Sequence, residues 1–160
     1  MKKTLYICLA MIFANFTFAN KTIAQENTEI KKIRMVEDGG TGAYKAIMYT
    51  DDSLPTHTVF RPEDLTAIGN DNKLPIIVWG NGACANSPWE HINYLSEVAS
   101  HGFLTIAIGP MPQEGERGSG RSEASQLIDA IDWAIEQNNN ANSPLYNKID
   151  TSNIAVSGKS

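Results

Sequence analysis

The sequence predicts an α/β domain: a mostly parallel sheet with helices on its flanks. Two observations predict it. Three short apolar runs, residues 74–79, 104–108 and 153–156, are continuous rather than alternating. That pattern marks strands covered on both faces, as in a parallel sheet. Two segments of helical periodicity fall between these runs, and strands that alternate with helices build a sheet with crossover connections.

The elements follow in order. Lys2 and Lys3 precede an uncharged apolar stretch from Leu5 to Ala14. Asn15, Thr17 and Asn20 interrupt it before it reaches the ~20 residues of a membrane span. Ala19, or Ala24 before Gln25, offers a cleavage point. This is the anatomy of a secretory signal over residues 1–24, the alternative being a short buried helix. Cys8 sits inside the apolar stretch, not after it, which argues against a lipid anchor. The chain from 25 to 160 is therefore expected to work outside the cytoplasm, secreted or periplasmic, with no stable membrane anchor.

Residues 25–32 are a polar lead-in. Residues 45–50 and 57–61 are strand candidates, the first ended by Asp51 and Asp52, the second by Pro62. Residues 70–73 are a turn before the first continuous apolar run. Ser87, Pro88 and Glu90 then read as an N-cap, a proline in the first helical position and an acid two residues later, which together make a capping box. Ile92, Leu95, Val98 and Ala99 form the apolar face of that helix, and Gly102 ends it. The second helix is expected from about Ser122 to Asn138, with Ala124, Leu127, Ile128, Ile131 and Ile135 as its stripe. Residues 114–121 between them are glycine-rich and polar, either a solvated loop or a wall of a cleft.

Charge and composition remove several function classes. The formal net charge is −5, and every acidic residue lies beyond residue 25, while Lys2, Lys3 and Lys21 lie in the leader. An acidic chain without a basic cluster does not present a nucleic-acid surface. Two cysteines are too few for a disulfide scaffold or a metal finger. His57, His91 and His101 include no i, i+4 pair of helical metal ligands. No metal or organic cofactor is implied.

In open α/β sheets ligands gather at the carboxyl ends of the strands. Two such ends stand out. One is the stretch from Trp79 to Cys84, which carries Asn81, Gly82 and Ala83. The other runs from Val156 to Ser160. Gly158, Lys159 and Ser160 match the end of a phosphate loop, but its first glycine falls on Asn153, before the strand. They also match the first half of the nucleophile elbow G-x-S-x-G, in which Gly158 precedes a serine lifted clear of the sheet. A serine nucleophile needs backbone N–H donors for the oxyanion, and Gly82 would let the chain turn so that the next N–H enters the cleft. Gly80, Gly82 and Ala85 fit a dinucleotide fingerprint as well. The acid that fingerprint expects about 20 residues on is replaced by Gly109, Pro110 and Met111.

Beyond these local patterns the chain resembles the secreted α/β-hydrolases of the dienelactone-hydrolase-like, chlorophyllase-like and PET-hydrolase/cutinase-like groups. The resemblance covers roughly residues 55–160. It rests on the segments 58–65, 74–84, 97–103, 131–134 and 149–158. It implies the α/β-hydrolase fold, a Ser–Asp/Glu–His triad and a small-molecule or polymeric carboxylic ester as substrate. By motif position Ser160 would be the nucleophile, Gly158 the elbow glycine and Ala83 an oxyanion donor, with Gly82 shaping the loop.

In this fold the acid and histidine follow the serine along the chain, whereas His57, His91 and His101 all precede Ser160. The expectation is therefore an N-terminal part of a hydrolase, inactive by itself. The histidines are expected in structural places: His57 bordering a strand, His91 in a first helical turn, His101 at a helix end. Asp129 and Asp132 are expected on a wet helix face, and Trp79 and Trp133 in packing. Trp89 would border the cleft, and Cys84 would be a small buried residue or pair with another cysteine. Two rival readings remain: a non-catalytic binding protein on the same fold, and a nucleotide-binding α/β domain.

Overall fold

The computed structural model describes residues 33–69, 71–112 and 118–160. The signal and lead-in expected over residues 1–32 lie outside the described residues, as does the centre of the glycine-rich loop. A six-stranded sheet is built from β1 (Ile33–Met35), β2 (Ala46–Tyr49), β3 (His57–Pro62), β4 (Leu74–Gly80), β5 (Leu104–Ile108) and β6 (Ile149–Gly158), in the order β1-β2-β3-β5-β4-β6. Two α-helices accompany it, α1 (Ile92–Ser100) and α2 (Ser125–Asn139). The sheet is mixed. β1, β2, β3 and β5 pair antiparallel in succession, while β4 pairs parallel with both β5 and β6. The three continuous apolar runs are the three mutually parallel strands; β4 and β5 lie inside the sheet and are largely buried, as that pattern predicts, whereas residues 153–158 of β6 lie exposed at its edge.

Alternation along each strand divides the core between the two helices. Leu74, Ile76 and Val78 of β4, with Leu104 and Ile106 of β5, pack with Ala130, Trp133 and Ala134 of α2. Trp79 and Ala107 point to the opposite face, where they join Met48, Phe60, Leu95 and Ala99 against α1. Trp79 and Trp133 are therefore packing residues, as expected. Hydrogen bonds tie the helices in place. His57 is buried at the start of β3, with its Nε2 2.9 Å from the Gln126 carbonyl and its Nδ1 3.0 Å from Thr56 Oγ1. Trp133 Nε1 donates to Ser53 Oγ at 2.9 Å. Asn138 Oδ1 accepts the Ile149 N–H at 3.0 Å, joining the end of α2 to the first residue of β6. At the far end of α1, Glu97 holds Thr41 and His101. The Thr41 hydroxyl and N–H bring its carboxyl to about 2, well below the usual range.

Several details differ from the sequence reading. α1 begins at Ile92, preceded by a tight 3-10 turn over Trp89–His91. The capping box does not form: Ser87 Oγ accepts the Trp89 N–H at 3.3 Å instead of the Glu90 N–H, and the Glu90 carboxylate faces Lys159. α2 begins at Ser125, and Ile128 of its expected stripe is 58% exposed. β6 begins four residues earlier than expected. Its register jumps between the pairs Pro75–Asp150 and Ile76–Ile154. The Asp150 carboxylate stabilises that irregularity by accepting from Ser152 and Asn153.

Candidate functional site

The two unusual strand ends are neighbours. β4 and β6 run parallel in register, with Trp79 opposite Ser157 and Gly80 opposite Gly158. The contact at the last pair is close. A Cβ on residue 158 would lie 2.6 Å from the Gly80 carbonyl oxygen, inside van der Waals contact, so only glycine fits. The chain then bends over the tip of β4, and the Lys159 N–H donates to the same oxygen at 3.1 Å. This carries residues 159 and 160 across Gly82, where a Cβ would lie 3.5 Å from Lys159 Cγ and 3.6 Å from the Ser160 carbonyl carbon.

The result is a cleft of about 410 Å³. Asn81, Gly82, Ala83 and Ala85 form one wall, Lys159 and Ser160 another, and Ser87, Trp89, Glu90 and His91 the remainder. Ser160, Ala83 and Gly82 are thus brought together, with Gly158 directly behind them. Trp89 borders the cleft as expected. Glu90, His91 and Lys159 are wall residues that no motif in the sequence marks as such. His91 reaches the wall because its turn precedes the helix proper, and its ring meets Trp79 edge-on with centroids 5.1 Å apart. Lys159 Nζ stands 3.9 Å from Glu90 Oε2. Both side chains are largely exposed, so the pair orders the rim without adding much stability.

The turn that follows β4 is unusual in its backbone. The sequence pattern puts the sharp bend at Gly82. Instead Ala83 (φ 54°, ψ 25°) and Cys84 (φ 55°) take the left-handed conformation, which costs about 1–2 kcal/mol for each residue with a Cβ. Neighbouring backbone holds them there. Ser122 N–H donates to Cys84 O at 2.9 Å, and Ala85 N–H donates to Gly82 O at 3.0 Å. Gly109, at φ +103°, leaves the tip of β5 so close to this loop that a Cβ would lie 2.6 Å from Ser87 Cα. Cys84 is free and exposed. This corrects the expectation of a buried cysteine: its position in the left-handed turn points it outward, not into the core.

A family model described as PETase, PET hydrolase-like, matches residues 58–160. The chain belongs to the PET hydrolase-like family. It is therefore a hydrolase of the α/β-hydrolase superfamily, and its mixed sheet is consistent with that fold. No curated protein sequence matches the chain. In this PET hydrolase-like chain the phosphate-loop reading fails on position as well. Asn153, where that loop needs its first glycine, lies inside β6.

Proposed function

We propose that the protein is an exported serine esterase. The carrying observation is that Ser160 and Ala83 line one cleft at the tips of adjacent parallel strands. Ser160 Oγ attacks the acyl carbon of a carboxylic ester. By the chain order of the fold, a histidine C-terminal to Ser160 takes its proton, with an Asp or Glu orienting that histidine. The charge on the former carbonyl oxygen rests on the Ala83 N–H and on the N–H of the residue after Ser160. The histidine then returns the proton to the leaving alcohol. Water, activated by the same base, cleaves the acyl-enzyme to the carboxylic acid. Trp89 supplies an apolar wall for the acyl or alcohol part of a small or polymeric ester. Residues 1–24 direct the chain out of the cytoplasm.

A fluorophosphonate probe tests the chemistry, because it phosphonylates a serine only where that serine is activated. The complete gene product should be labelled at Ser160, and its Ser160→Ala variant should be spared. The 160-residue chain alone should remain unlabelled. Labelling that persists in Ser160→Ala would refute the assignment. Mass spectrometry of the exported protein tests the address: an intact Met1 would overturn it.

A further inference from the structure

Asn81 is the residue between β4 and the left-handed turn, and it is buried. Its Nδ2 spends both hydrogens on backbone carbonyls: one on Ala85 at 3.0 Å, across the turn, and one on Ile108 at 2.7 Å, at the tip of β5. Its Oδ1 is buried without a hydrogen-bond partner. An amide that leaves its acceptor unpaired in the interior carries a cost, so the value of the residue lies in the donor fork. Aspartate and leucine, the nearest in shape, have no such fork.

We propose that Asn81 is a positioning residue for catalysis: its amide ties the end of the 82–85 turn to the tip of β5 and so fixes the direction of the Ala83 N–H. This rests on the reading of Ser160 and Ala83 given above. Ala83 and Cys84 lie between the two anchor points, in a backbone conformation that would relax if released. The Ser122 contact holds the turn from its outer side, and the Gly109 contact packs against the residues after it. Among the described residues, Asn81 is the side chain that ties it to the sheet from within. An oxyanion donor displaced by about 1 Å loses about 10²-fold in rate.

The experiment compares wild type, Asn81→Asp and Asn81→Ser in the complete gene product. The readouts are the fluorophosphonate labelling rate and p-nitrophenyl butyrate turnover per titrated active site. Asn81→Asp sets a carboxylate against two carbonyl oxygens. At about pH 8 it should lose about 10²-fold in kcat, with KM within about threefold. Relative to wild type, the loss should shrink towards about pH 5.5, as protonation restores one donor. Asn81→Ser keeps one donor and should fall between the two. Its Ala85 amide should exchange hydrogen faster, while the β4 and β5 amides keep their protection.

A folded Asn81→Ser with wild-type kcat and unchanged Ala85 exchange would overturn the proposal. So would an Asn81→Asp loss that is equal at both pH values, or one that falls on KM alone. The esterase reading fails separately, through a labelled Ser160→Ala. Should it fail, the amide exchange still decides whether Asn81 holds the turn.

Discussion

Gly158→Ala puts the geometry of the site under the most direct test. The added Cβ would sit 2.6 Å from the Gly80 carbonyl oxygen, a backbone atom that cannot rotate away. Two responses are open. β6 and β4 separate locally, at the cost of overfilling a packed contact, about 1–3 kcal/mol. Alternatively, residues 158–160 peel off the tip of β4, which forfeits the Lys159–Gly80 hydrogen bond and its contacts, about 1–2 kcal/mol. The cheaper response sets the outcome, so the loss should be about 1–2 kcal/mol. That corresponds to a fall in Tm of about 2–8 °C for a domain of this size. Either response moves Ser160 off the wall it shares with Ala83. Labelling of the complete gene product should therefore drop by about 10²-fold, far beyond what the stability loss explains. Gly69→Ala is the control, because nothing stands within 4 Å of a Cβ there. It should leave Tm unchanged or raise it slightly. Thermal unfolding by circular dichroism and probe labelling measure both effects. A Gly158→Ala variant that melts and labels like wild type would refute the close β4–β6 approach and the cleft built on it.

The left-handed turn makes a second prediction: Ala83→Gly keeps the N–H and removes the Cβ penalty, so stability should rise by about 1 kcal/mol, and a lower Tm would contradict it. His57 governs a pH dependence. Burial pushes its imidazole below its ordinary value, so the unfolded chain takes up the proton first. The stabilisation is complete above the unfolded value of about 6.5 and declines as pH falls below it. The urea midpoint should therefore drop between about pH 7.5 and 5.5, with a smaller drop in His57→Asn; parallel profiles would show that His57 does not control it. β6 is an edge strand of the described sheet, with Ile154 39% and Val156 58% exposed. Val156→Lys should reduce concentration-dependent association of the 160-residue chain in light scattering, and equal association would place the sticky surface elsewhere.

What the sequence disclosed depended on how many faces of an element are buried. β4 and β5 announce themselves because both their faces are buried and their polar positions are few; the end of β6 carries the same apolar run although its residues are exposed at the edge of the described sheet. β1 escapes notice because its three residues pair on one side only and leave Ile33 and Met35 exposed. The start of β6 hides behind Asp150, Thr151 and Ser152, residues that read as loop and serve a register change. α2 misleads in the opposite sense. A count of apolar residues selects Ile128, but the helix settles on Ala130 and Ala134, whose small side chains let its axis approach the sheet beside Trp133.

The same division runs through the site. Gly158 is legible because its close approach to the Gly80 carbonyl admits no side chain, and Ser160 because the elbow pattern of the proposed function asks for a hydroxyl two residues on. Ala83 and Cys84 give no local sign of left-handed backbone, since neither residue favours it. That conformation is imposed from outside, by Ser122 and Asn81 acting on Cys84 and Ala85. Glu90 shows how one residue type serves two ends. Its spacing from Ser87 suits a helix cap, and only the return of β6 to the side of β4 reveals Lys159 as its partner. Residues chosen for what they are can be read singly. Residues chosen for where they stand become visible once Gly80 and Gly158 are known to meet.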